Sequence, residues 1–187
     1  LGVRAAVGGR GRFLPTAVTV LECAVGLDPN SPPAPASVAE SLARVAYYGL
    51  PKPTLVGARA MNACSRAVAL GADLAEAHMA YAICSLVFNF DREAARDGFE
   101  RAISIGPRNV NVLTARMHWL HGTIRGRYDD AISEGELAIA LDPLNEHVLS
   151  RLSMAHLCRG NREAALRYAR QAVSVEPQSL PGRNSLI

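Results

Sequence analysis

The stretch AALRYARQAVSVEP, Ala164 to Pro177, decides how this chain is read. It is a helix-favouring run with alanines at Ala165, Ala169 and Ala172, and a proline ends it. Ala165 and Ala172 stand seven residues apart, and the same pair recurs as Ala131/Ala138, Ala95/Ala102, Ala60/Ala67 and Ala17/Ala24. Successive first alanines lie 43, 35, 36 and 34 residues apart. Five residues beyond each second alanine come Pro29, Ala72, Pro107, Pro143 and Pro177. That concordance marks a repeat rather than a run of unrelated helices.

Each period reads as two helices, A and B. After Pro143 breaks the preceding helix, Asn145 is placed to cap the next. EHVLSRLSMAHLC then sets Leu149, Leu152, Met154 and Leu157 at roughly helical spacing. RGN is a turn in which Gly160 takes the left-handed conformation and Asn161 caps helix B. Helix B lays Ala165, Ala169 and Ala172 against helix A, where small side chains let two backbones approach closely.

This arrangement resembles the tetratricopeptide repeat (TPR). The helix B pattern of that family is alanine, a large residue, alanine and a closing proline; its helical part is matched five times and its proline four times, and GRYDDA (Gly126 to Ala131) matches its turn. Helix A departs from it, because His78 and Leu113 stand where the family favours Trp. The resemblance covers residues 13–177 and implies an all-α TPR α-solenoid, a right-handed superhelix of antiparallel helix pairs. It divides into a partial repeat at 1–31, four repeats at 32–74, 75–109, 110–145 and 146–179, and a stub over 180–187. The long second repeat holds YYGLPKPTLVG, a proline-braced loop. With LAEAHMAYAICSLVFNFDREAARDGFERAI, it resembles TPR regions of bacterial class III nucleotide cyclases and of winged-helix or TolB-like regulators.

A TPR array lines its groove with helix A residues, in positions near 2, 5, 9 and 12 of each helix A. Numbered from Pro32, Ala75, Val110 and Glu146, these give Pro33, Ala36, Glu40 and Ala43, then Glu76, Met79, Ile83 and Leu86. They continue with Asn111, Thr114, His118 and His121, then His147, Ser150, Met154 and Leu157, with Arg151 beside them. Two features stand out. Met79, Ile83 and Leu86 form an apolar patch fit for a partner's apolar side chains. His118 and His121 stand one turn apart, a spacing that suits metal but supplies too few ligands alone; His147 or His156 would have to reach across. Of the positions that match the family's carboxylate clamp, Ala36, Glu40, Ala80, His147 and Arg151, only Arg151 fits, which disfavours a chaperone-tail receptor.

Bulk properties narrow the function further. Twenty basic against seventeen acidic residues leave a formal charge of +3, too slight for a nucleic-acid partner. No apolar run approaches a membrane span, and LGVRAAVGGRGRF lacks signal-peptide order. Its first residue is Leu, so the chain reads as an excised piece. GGRGRF (Gly8 to Phe13) carries one RGG-like unit, without strand, lysine or hydroxyl for a phosphate loop, and reads as a flexible terminus. Cys23, Cys64, Cys84 and Cys158 are widely spaced and read as buried thiols of a reducing compartment.

The repeat geometry sets up no nucleophile and base, and Asp129/Asp130 suit a helix N-terminus. The expectation is therefore a cytoplasmic, non-catalytic protein- or peptide-binding scaffold within a larger bacterial signalling protein, with no cofactor, metal, nucleic acid or membrane. A self-association module stacking through terminal repeats is the alternative, and an enzyme or metal site on the histidines a more distant one.

Overall fold

The computed structural model describes residues 14–47, 49, 52–122 and 127–177. The expectations placed on GGRGRF, on residues 1–13 of the partial first repeat, on parts of the Tyr47–Gly57 loop, on Gly126 and on the stub from Leu180 lie outside the described residues. Within those residues there are nine helices and no strand. They form two compact units, one ending at Pro107 and the other beginning at Arg108.

The first unit holds α1 (Leu14–Leu27), α2 (Pro33–Tyr47), α3 (Pro53–Leu70), α4 (Ala75–Cys84) and α5 (Arg92–Ile105). Here α2 packs on α1, α3 and α4, while α4 packs on α3 and α5. The second unit holds α6 (Val110–Arg116), α7 (Tyr128–Leu141), α8 (Glu146–Cys158) and α9 (Arg162–Val175). In it α6 packs on α7 and α8, and α8 on α7 and α9. Within each unit a helix A thus packs against its own helix B, and where another helix A follows in that unit it is laid on that B.

The alanine-to-proline offset is a capping geometry. Gly71, Gly106, Asp142 and Glu176 end α3, α5, α7 and α9 with φ between −146° and −130° and ψ between 73° and 88°. Each donates its N–H to the carbonyl of the second alanine of its pair, Ala67, Ala102, Ala138 or Ala172. A residue before proline is driven out of the helical region, so Pro107, Pro143 and Pro177 impose this exit. Where Ala72 replaces the proline, Gly71 makes the same exit. A Cβ on Gly71 would lie 2.7 Å from Cβ of Pro32, so the chain crossing there admits no side chain.

The next helix then starts on a side-chain cap. Asn109 accepts from the Asn111 and Val112 amides, Asn145 from Val148, Asp91 from Ala94 and Asn161 from Ala164. Gly160 has φ +85°, the left-handed conformation the RGN turn requires.

The 35-residue period lengthens helix A, which runs over 75–89, whereas the 36-residue period, with helix A over 110–121, places its additional residues between helix A and α7. Past Cys84, α4 continues as a π-helical turn, Ser85–Asn89, and past Arg116, α6 continues as another, Met117–His121. In the 34-residue period, α8 runs to Cys158 without one. A π turn accommodates an additional residue without breaking the helix. It also rotates everything beyond it by about 100° relative to a regular helix.

Helix B contacts are close because their residues are small. Ala60, Ala95, Ala131, Ala165 and their partners Ala67, Ala102, Ala138 and Ala172 are all buried. Larger side chains fill the layers between, with Leu42, Phe99, Trp119 and Leu152 nearly or fully enclosed. Each such burial is worth roughly 1.5–3 kcal/mol.

The thiols divide. Cys64 and Cys84 are buried, whereas Cys23 and Cys158 are exposed, which corrects the reading of all four as interior. Cys23 lies on α1 away from buried Ala17 and Val18, and Cys158 ends α8 at a turn. A hydrogen bond with Cys64, reinforced by burial, raises the Cys84 thiol well above its ordinary range, so it stays protonated and unreactive.

Candidate partner-binding site

In the second unit, α8 presents one helix A face. Asn145 sets its start, and Glu146 accepts a hydrogen bond from the Ser150 hydroxyl at 2.5 Å. His147 and Ser150 are buried and Arg151 is half-buried. Farther along the same helix, Met154 and Leu157 are 44% and 50% exposed, three residues apart and therefore on one face. An apolar pair left open beside a guanidinium-bearing residue is the arrangement that accepts an amphipathic segment.

On α6, Thr114 is buried and returns its hydroxyl to the Val110 carbonyl at 2.6 Å, which satisfies it within its own helix. The two histidines separate. His118 is half-buried with its ring 4.8 Å from that of Trp119, tilted by 55°. His121 is 1% exposed, and its Nε2 lies 3.2 Å from Oε1 of Glu134 on α7, an oxygen that also receives Arg116 at 2.7 Å. His121 therefore faces its own helix B instead of standing beside His118 on a groove wall. The π turn is the physical reason, because it changes the rotation between the two positions. Among the described residues no group of three or more His, Cys, Asp or Glu side chains is placed to hold a metal ion.

In the first unit the expected apolar patch is closed. Met79 is 2% exposed and Ile83 fully enclosed, with only Leu86, in the π turn, half-buried. Those α4 side chains sit among α2, α3 and α5, which pack against α4 from several sides. Glu40 is also interior: its Oε1 accepts from Arg44 Nη2 at 2.7 Å and Nε at 3.0 Å, and both side chains are largely enclosed. Glu40 and Arg44 stand one helical turn apart on α2, so the pair closes within a single helix. Ala36 and Ala80 are buried as well.

Near the end of α8, His156 stacks on Tyr168 of α9, with ring centroids 5.4 Å apart and planes 13° from parallel. Burial lowers the His156 imidazole below its ordinary range; Arg167 pushes the same way and Glu136 opposes them. Exposed Asp130 is held below the usual carboxylate range chiefly by its hydrogen bond from Arg127.

No protein-family model and no curated protein matches the sequence. Solved structures do. TTC0263, a thermophilic TPR protein in Thermus thermophilus, is 22% identical over all of this chain and 93% of its own, with a TM-score of 0.72. The fold is TPR-like. YrrB, described as a TPR protein with an unusual peptide-binding site, is 17% identical over 93% of this chain and 84% of its own, with a TM-score of 0.58. A human IFIT1 dimer with m7Gppp-AAAA is 17% identical over 92% of this chain, with a TM-score of 0.73, and the match spans 40% of that protein. At these identities the likeness establishes the TPR architecture, and the chemistry of α8 has to be argued from its own residues. Among the described residues no helix is long and apolar enough to cross a membrane.

Proposed function

We propose that the chain is a non-catalytic TPR scaffold that binds a protein or peptide segment along its helix A faces, with α8 supplying the principal contact. The observation that carries this is the half-open Met154/Leu157 pair beside Arg151, set on a helix whose other large apolar side chains are buried. Apolar area left in water on a rigid helix costs free energy until a partner covers it. YrrB, with its peptide-binding site on a similar fold, supports the same reading.

In this reading the partner brings an amphipathic helix or turn whose apolar residues cover Met154 and Leu157. Arg151 takes an acceptor at the edge, and Ser150 and His147 hold the floor of the contact rather than touching the partner first. Glu40, Met79, Ile83, Thr114 and His121 act through packing. The scaffold serves as the regulatory part of a larger bacterial signalling protein in the cytoplasm, without metal or cofactor.

Selection of peptides displayed on phage against the whole chain tests this. The expected result is a family of enriched peptides that share apolar residues at helical spacing. An m7Gppp-AAAA oligonucleotide serves as a control ligand, because that group is bound in the IFIT1 structure. Preference for it over every peptide would overturn the reading.

Self-association is the second reading, favoured by the same exposed apolar pair. Light scattering separates the two: a chain that stays monomeric at high concentration removes stacking between copies.

A further inference from the structure

The first unit carries a cleft of about 240 Å³ where α1, α2 and α3 meet. Its wall on α3 is polar, with Arg59, Asn62 and Arg66 at spacings of three and four, and hence on one face of that helix. Its floor is apolar, built from Val25 of α1 and from Pro35 and Val38 of α2. Glu22 of α1 closes the rim and forms an ion pair with Arg59.

Charge in this cleft is unbalanced. The lining sets two guanidinium groups against one carboxylate. Arg59 has that carboxylate, whereas Arg66 donates from Nη2 to the Pro29 carbonyl oxygen at 2.5 Å, a neutral acceptor. A guanidinium offers five N–H donors in a planar fork, and one carbonyl occupies only one of them. A second carboxylate is the acceptor whose charge and shape complete the site.

The geometry points to a binding site for a small aliphatic monocarboxylate, its anionic end between Arg59 and Arg66 and its hydrocarbon on Val25, Pro35 and Val38. Two considerations select this class. One negative charge balances the lining, whereas a phosphate dianion would overshoot it and leave the apolar floor wet. The volume also falls below the roughly 300–1,000 Å³ of pockets for drug-sized ligands, which suits a molecule of a few carbons. Glu22 is a built-in competitor for Arg59, so the bound acid shares or displaces that contact. The inference does not depend on partner binding at α8.

Nitrogen–proton correlation spectra of the whole chain, titrated with isovalerate, test it. Isovalerate is expected to give saturable shifts confined to α1, α2 and α3. Isovaleramide, of the same shape without the charge, is expected to bind at least tenfold more weakly, and inorganic phosphate likewise. Arg66→Gln should weaken isovalerate about tenfold. Glu22→Gln should strengthen it several-fold, because it frees Arg59. Both side chains lie on the exposed surface, so the melting temperature serves as the check on folding. The proposal is overturned if the amide or phosphate matches isovalerate, or if the shifts fall elsewhere. It is equally overturned if both variants fold and bind isovalerate as wild type does.

Discussion

The hydroxyl of Ser153 on α8 donates to the carbonyl oxygen of Ala165 on α9 at 2.8 Å, with both residues buried. A side chain as short as serine reaches the backbone of a neighbouring helix only where the two backbones nearly touch. Ala165 is small for that reason, as are its counterparts Ala131, Ala95 and Ala60. Ser153→Ala should therefore cost about 1 kcal/mol, the worth of one buried hydrogen bond. Ala165→Leu should cost about 3 kcal/mol by forcing the helices apart. Urea unfolding of both variants checks the ordering, with Ala165→Leu the more damaging.

The α4–α5 contact should be equally intolerant. A Cβ on Gly98 would lie 3.0 Å from Cβ of Ala82 and 3.2 Å from the His78 carbonyl oxygen, so backbone would have to move. Gly98→Val should lower stability by about 3 kcal/mol, even though glycine is itself a poor helix residue. Thermal unfolding measures it, and a melting temperature equal to wild type would refute the close approach.

Glu40 separates a packing role from a binding role. Removing it leaves the Arg44 guanidinium enclosed without its carboxylate, and breaking a buried pair in this way costs about 3–5 kcal/mol. Glu40→Ala should unfold at clearly lower denaturant concentration. The double variant Glu40→Leu/Arg44→Met, which removes both charges and keeps the volume, should recover most of that loss.

Stability should fall on acidification through His156. Burial holds the folded imidazole below its ordinary value, with Arg167 adding to the effect, Glu136 opposing it and Tyr168 stacked on the ring. The unfolded chain, titrating near pH 6.5, therefore takes up this proton first as pH drops. The His156 contribution is constant above about pH 7 and is lost progressively below 6.5. In His156→Gln the dependence of stability on pH between about 7 and 5 should be shallower than in wild type. An unchanged slope would contradict the burial argument.

The repeat was legible because its physics is local. An alanine fixes a close helix contact, and the proline five residues later forces the exit that Gly71 makes where proline is missing. The caps at Asn145 and Asn161 and the left-handed Gly160 follow from residue type alone. The candidate site was less legible, because facing depends on rotation about the helix axis. Met79 and Ile83 have the composition of a docking patch, yet α2, α3 and α5 cover them. His118 and His121 look like a pair until the π turn that contains both is recognised, and no residue in MHWLH announces that turn. The cleft with Glu22, Arg59 and Arg66 joins residues far apart in the chain, so no local pattern reveals it. Met154 and Leu157 hold positions that the repeat pattern assigns to the groove, and their exposure depends on what leaves α8 uncovered.

The central claim is that α8 is a partner-binding face, and one titration tests it most directly. A peptide recovered by selection is titrated against wild type and against Met154→Glu/Leu157→Glu. Both substituted positions are about half exposed, so the variant should keep its helix content and melting temperature. The account predicts that it binds the peptide at least tenfold more weakly. A variant that folds as wild type and binds the peptide with unchanged affinity would contradict it.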